Sequence, residues 1–307
     1  MNKWIKYCVI TALTIGSIFI SCSGGAPAPS VTGQNPLLWK VTSENNTSYL
    51  FGTMHVADPR VTTLAPAVEA AFTDSDAIFT ELKESQVELS GRVTVEGKLP
   101  EGTHLSDLIP ADMYAKINEL VESNKMIMNM VNSWRPWMVG MYLQMIDAMP
   151  YMQGIALDMQ LTNRARKENK EVGGIETIDE QLAALAFGSE EDQIKLLGIA
   201  IDNMIEKADN EISDIELMLN YYLEGDIDGL WEFANVELLD ASQLEKDAFD
   251  ALLTVRNDNM ADRINKRIKA NPESVTFYAF GALHFAGPQG VGALLKGMGY
   301  EVERVVK

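Results

Sequence analysis

Tyr49 to Ala57, reading YLFGTMHVA, decides how the rest of the chain is read, because Tyr278 to Ala286, reading YAFGALHFA, repeats it near the other end. Five of nine positions agree, and both copies contain Gly-x-x-His. In each copy an apolar run of buried-strand character (Tyr49, Leu50, Phe51; then Val275, Phe277, Tyr278, Phe280) meets a glycine, and a histidine follows three residues later. Each histidine therefore falls just past a strand's carboxyl end. In an open sheet with parallel strands that is where ligands bind, and glycine lets the backbone turn or approach closely there. His55 and His284 are thus expected to share one site, with both ends of the chain in one sheet. The repeat is too short to indicate a repeat architecture.

Working outward, Leu37–Thr42 and Ser48–Phe51 read as a hairpin around Glu44, Asn45 and Asn46. Pro66–Phe72 reads as a short helix and Ala77–Leu82 (AIFTEL) as a second inner strand. From about residue 105 to 270 the pattern is mainly helical, with Met113, Ile117, Leu120 and Val121 at helical spacing. The methionine-rich run Met126, Met128, Met130, Met138, Met141 and Met145 reads as core or interface filler. Pro136, within Trp134-Arg135-Pro136-Trp137, is placed to open a helix. Glu171–Ile175 returns to strand character, and Thr177 with Glu180, Ser189 with Asp192, and Ser242 with Glu245 carry helix-start signals. The acids Glu190, Glu191, Asp192, Glu206, Asp209, Glu211, Asp214 and Glu216 read as a solvated outer face without EF-hand spacing. A helix over Val291–Gly297 and a strand over Tyr300–Val306 end the chain. The expected fold class is α/β, a mixed central sheet with a large inserted helical region, all within one domain spanning 37–307.

The amino terminus reads as a targeting segment. Lys3 and Lys6 precede an apolar stretch, Tyr7–Ile20, that is short for a membrane span, and Ser21 precedes Cys22. This resembles a bacterial lipobox, so residues 1–21 are expected to be a lipoprotein signal peptide and Cys22 the lipidated first residue. Ser23–Gln34 is small, polar and proline-bearing, and residues 22–36 read as a flexible tether. The expected location is the bacterial cell envelope, outside the cytoplasm, with the membrane reached through the lipid. The net charge of -19 becomes two units more negative without Lys3 and Lys6, which disfavours nucleic acid as a partner. The two cysteines are Cys8, in the signal, and Cys22, which excludes thiol catalysis and thiolate metal sites from the folded part.

Four inner strands end in a side chain of metal-ligand type: His55, Glu81, Glu176 and His284. Glu81 closes a buried run and needs a cationic or metal partner. Glu176 follows Gly173-Gly174-Ile175 in the same way, or is the first acid of the next helix. Neutral imidazoles with carboxylates suit manganese, cobalt, iron or zinc. Such a metal acidifies water and polarises a carbonyl, which points to hydrolysis. Arg256 and Asn257 are placed to meet a substrate carboxylate or carbonyl, or to form a surface salt bridge. Asp58 and Asp158 are candidates to orient a ligand histidine, and His104 reads as exposed and unconnected.

Taken in order, Gly52-Thr53-Met54-His55, the Glu81 strand, WRPW at 134–137, Asp158, GGIET at 173–177 with Gln181, Arg256-Asn257 with Met260, and Gly281-Ala282-Leu283-His284 resemble the TraB/GumN family, which includes TraB, PrgY and the Tiki proteins. The resemblance implies a fold like that of the erythromycin esterase and ChaN group. It also implies a metal-dependent peptidase, with manganese or cobalt, that acts on peptides or protein amino-terminal segments. In that reading His55, Glu81 and His284 are the catalytic and metal-binding residues, and Glu176, Arg256 and Asn257 bind substrate. Two alternatives use the same residues: a haem- or iron-binding lipoprotein, and a lipoprotein that sequesters a peptide.

Overall fold

Alternation within Thr276–Gly281 accounts for its unbroken apolar run: Phe277 and Ala279 enter one hydrophobic core, and Tyr278 and Phe280 enter a second. A strand covered on both faces has no polar side to show. The computed structural model describes residues 35–306 apart from 45, 147, 153 and 208–212. The expected signal segment, Cys22 and most of the expected tether lie outside the described residues. At the tether's end Arg304 Nε donates to the Pro36 carbonyl at 2.8 Å, so the chain is already anchored there.

The described strands are β1 (Leu38–Ser43), β2 (Asn46–Thr53), β3 (Ala77–Thr80), β4 (Glu171–Gly174), β5 (Thr276–Gly281) and β6 (Glu301–Arg304). They form one sheet in the order β4-β3-β5-β2-β1-β6. β1 and β2 make the expected hairpin, with Leu38 opposite Phe51. β5 lies parallel to both β2 and β3, and β3 lies parallel to β4. β6 closes the far edge antiparallel to β1. The sheet is therefore mixed, and its four parallel members bring their carboxyl ends to one side.

One face packs against the Thr254–Ala270 and Val291–Gly297 helices through Met260, Ile264, Ile268, Val291 and Leu295. The other carries most of the intervening helices over Phe51, Ile78 and Phe277. Helical structure begins before residue 105, with the Gln86–Glu96 helix capped by Ser85 and Glu88. Apolar periodicity is weak there because Val93 is its buried residue. Met138, Met141 and Met145 are core, as expected, whereas Met126 and Met130 are exposed at 78% and 40%. The acidic stretch is not uniformly solvated: Asp214 is buried, and Glu216 pairs with Arg60 at 2.7 Å. Asp209 and Glu211 lie outside the described residues. The start signals at Thr177 and Ser242 form capping boxes, and Pro136 opens the Pro136–Met145 helix.

Candidate active site

Parallel strand ends place the polar residues side by side. His55 follows β2, Glu81 is the first residue after β3, Glu176 lies two residues past β4, and His284 sits in the 3-10 turn Ala282–Phe285 after β5. The β3 and β4 ends continue as a pair, since the Glu176 amide donates to the Glu81 carbonyl at 2.9 Å. All four side chains are buried, as are Arg256 and Asn257 on the Thr254–Ala270 helix.

Glu81 is the centre of the arrangement. Its Oε2 accepts from Arg256 Nη2 at 2.8 Å and from Gln181 Nε2 at 3.0 Å. Its Oε1 accepts from the Gly281 amide at 2.8 Å and faces His55 Nε2 at 3.4 Å and His284 Nε2 at 3.9 Å. The space for that close approach exists because residue 281 is glycine: a Cβ there would stand 3.1 Å from Glu81 Oε1. Arg256 also grips Glu176 through Nε, at 2.9 and 3.0 Å to its two oxygens, and donates Nη1 to the Leu252 carbonyl at 3.0 Å. The surface salt bridge allowed for Arg256 is thus replaced by a buried one, with the guanidinium committed to two carboxylates.

Each histidine is held through its Nδ1. His55 Nδ1 lies 2.8 Å from Asp158 Oδ2, and the Thr53 hydroxyl donates to Asp158 Oδ1 at 2.5 Å. His284 Nδ1 lies 2.6 Å from Asn257 Oδ1, and Asn257 Nδ2 donates to the Gln289 carbonyl at 2.9 Å. With the amide turned that way, the proton sits on His284 Nδ1 and the Nε2 lone pair is bare. Both Nε2 atoms are buried without a hydrogen-bond partner. Asp58 is elsewhere: it caps the turn Pro59–Thr62 and pairs with Arg60. His104 is exposed, as expected.

A family model described as the TraB/PrgY/gumN family matches residues 37–304. The chain belongs to this family. Among its relatives, metalloprotease TIKI2 of Danio rerio is 27% identical over 88% of this chain and 61% of its own length. Metalloprotease TIKI1 of Homo sapiens is 24% identical over 90% of this chain and 63% of its own. An uncharacterized protein of Treponema pallidum is 23% identical over 94% of this chain and 89% of its own. The chain thus spans about three fifths of the length of the TIKI relatives. No solved structure matches.

In this TraB/PrgY/gumN member the buried charges are unbalanced. Glu81, Glu176 and Asp158 face a single guanidinium, so neutral imidazoles leave two negative charges unmatched. Burial alone would push the His55 imidazole down, but the Asp158 and Glu81 carboxylates outweigh it and raise the group to about 10. His284, with no carboxylate on Nδ1, is pushed down to about 3 by burial and by the Arg256 charge. Burial opposes ionisation of Glu81, yet Arg256 and the two histidines hold it well below the usual carboxylate range. Glu176 goes the other way, to about 7, because burial and the Glu81 charge exceed what Arg256 returns. Among the described residues no three His, Cys, Asp or Glu side chains are already gathered as a metal-ligand cluster. The donor set nonetheless suits a divalent cation, which would take the place of the proton that Asp158 and Glu81 favour on His55: two imidazole Nε2 atoms, one carboxylate oxygen facing both, and carboxylates in excess of the one guanidinium.

Sequence reasoning missed three supports. Gln181, which the sequence offers only as part of the family resemblance and with no role, holds Glu81. Thr53 ends a strand whose other buried residues are mostly apolar, yet it orients Asp158. Tyr222, some way along the chain, donates its hydroxyl to the Gly52 carbonyl at 3.0 Å and fixes the first Gly-x-x-His turn.

Proposed function

We propose that this protein is a metal-dependent hydrolase, most simply a peptidase acting on peptides or protein amino-terminal segments. The observation that carries the reading is the pair of buried, partnerless Nε2 atoms on His55 and His284, both facing Glu81 Oε1. Apolar core does not leave imidazole nitrogens bare without a reason. The metalloprotease names of the TIKI relatives support the same chemistry.

His55, His284 and Glu81 would hold the metal, manganese or cobalt before zinc or iron. A bound metal of this kind acidifies water and polarises a carbonyl. Asn257 keeps His284 in the tautomer that presents Nε2, and Asp158 holds the His55 ring so that its Nε2 faces Glu81. Arg256 keeps Glu81 ionised and positioned. Glu176, raised to about 7, is suited to exchange a proton near neutral pH and thereby to reduce the excess negative charge it shares with Glu81. Arg256, Glu176 and Asn257 are fully engaged with protein partners, so their part in substrate binding is to shape the site and not to reach out of it.

The haem alternative fits less well, since the cavity beside His55 and Glu81 measures about 50 Å³ and holds no macrocycle without moving its walls. The test is elemental analysis of protein purified without chelators, beside His55→Ala and His284→Ala, followed by peptide cleavage with the metal found. About one transition metal per chain, lost in both variants, is expected. Peptide binding without turnover would favour the sequestering alternative. Absence of metal after dialysis against manganese, cobalt and zinc would overturn the reading. We also propose that Cys22 carries lipid and holds the protein to the cell envelope. Among the described residues no helix is long and apolar enough to cross a membrane. Mass spectrometry of the mature amino terminus checks the lipid.

A further inference from the structure

The cavity beside His55 and Glu81 has a wall that the hydrolase reading leaves unused. Glu84, in the loop between β3 and the Gln86–Glu96 helix, lines it together with His55, Glu81, Asp158 and Gln181. Glu84 is partly exposed as a residue, yet its Oε2 is out of contact with solvent and has no hydrogen-bond partner. Asp158 has His55, and Glu81 has Arg256 and Gln181. Glu84 has no such cation among the described residues. Leaving a carboxylate oxygen dry and undonated is unfavourable.

The loop is fixed and not slack. The Thr80 hydroxyl donates to the Leu82 carbonyl at 2.7 Å, Arg166 Nη2 donates to the Lys83 carbonyl at 2.7 Å, and Ser85 caps the following helix. His55, only 7% exposed and with its Nε2 unpartnered, enters the same cavity from another wall. A group bound at Glu84 is therefore presented beside His55 and Glu81. Leu89 and Met159 also line the cavity and offer apolar surface suited to a short alkyl stem.

We infer that Glu84 is a specificity-determining residue that binds a primary ammonium group of a peptide substrate. The inference rests on the hydrolase reading and deepens it. An ammonium satisfies the chemistry: three donors, a charge opposite to that of the cavity, and a head small enough for about 50 Å³. The source is either the peptide's amino terminus or a lysine side chain, and the two are separable by experiment.

The test is calorimetric titration of the manganese-treated protein with four probes: tetra-alanine amide with a free amino terminus, its N-acetylated form, an N-acetylated tetrapeptide containing one lysine, and the same peptide with norleucine. One ammonium-bearing probe is expected to bind about ten-fold or more tightly than its neutral counterpart. Glu84→Gln removes that difference, leaves the neutral probes and the metal content unchanged, and does not lower the melting temperature. Preference for the free amino terminus assigns that group; preference for lysine assigns the side chain. Equal binding of charged and neutral probes, no binding of any probe, or a preference that survives Glu84→Gln overturns the inference. Loss of metal in Glu84→Gln also overturns it, by making Glu84 a ligand. A preserved ammonium preference in a protein that holds no metal and cleaves nothing would instead sink the hydrolase reading alone.

Discussion

At the scale of single residues, what matters is which nitrogen or oxygen each neighbour leaves free. Asp158→Asn and Asn257→Ala both unlock an imidazole, and each is expected to weaken metal binding by about 10–100-fold, as outer partners of ligands generally do; competition with a coloured chelator measures it. Asp58→Asn, at the acid that caps a remote turn, is expected to leave that affinity unchanged. Arg256→Met strips two buried carboxylates of their shared cation and should cost about 3–5 kcal/mol in urea denaturation. Arg256→Lys keeps the charge but not the fork, and should recover only part of that loss. Glu180 provides a pH test away from the site. Arg263 and the Thr177 cap hold its carboxyl down at about 2, below its ordinary 4.5. The unfolded chain therefore binds this proton first as pH falls, so the pair's stabilisation is complete above about 4.5 and is lost toward 2. Because the side chains are 36% and 40% exposed, the effect is about a few tenths of a kcal/mol, and Glu180→Gln should flatten the stability profile across that window.

At the scale of elements, strand ends were legible and helix faces were not. His55, Glu81, Glu176 and His284 each follow an apolar or glycine-bearing run, so their place beyond a parallel sheet could be read without knowing the strand order. Gln181, Thr53 and Glu84 could not be read this way, because their roles depend on which helix or loop packs over the sheet. Arg256 and Asn257 were visible as polar residues above the apolar Met260 and Ile264, but their partners were not, since an exposed pair and a buried pair look alike in sequence. The Gln86–Glu96 helix has little apolar periodicity to show because it buries only Val93, although Ser85 and Glu88 carry a start signal. The glycines of β4 and β5 have separable duties. Gly173 lies under Phe79, whose ring carbon would be 2.2 Å from an added Cβ. Gly173→Ala should cost about 1–3 kcal/mol by overpacking. Gly281→Ala, pressing on Glu81 Oε1, should lower metal affinity more than stability, and comparing chelator competition with urea unfolding separates the two.

At the scale of the whole molecule, the site lies between segments from both ends of the chain, so its ligand should brace the entire fold. Metal at one hundred times its dissociation constant stabilises a folded state by about 2.7 kcal/mol. For a chain of this size that is roughly a 5 °C rise in melting temperature, expected for the wild type and absent in His55→Ala. The sheet order has one more consequence. β5 is inserted between β2 and β3, which do not touch each other except through it. Until residues 276–281 have been made, the hairpin of β1 and β2 and the pair of β3 and β4 are separate halves, and His284 has not yet been synthesised. A site that needs both histidines therefore cannot exist before β5 and the turn after it have been translated, so on the proposed reading the growing chain stays inactive while its earlier segments are being made.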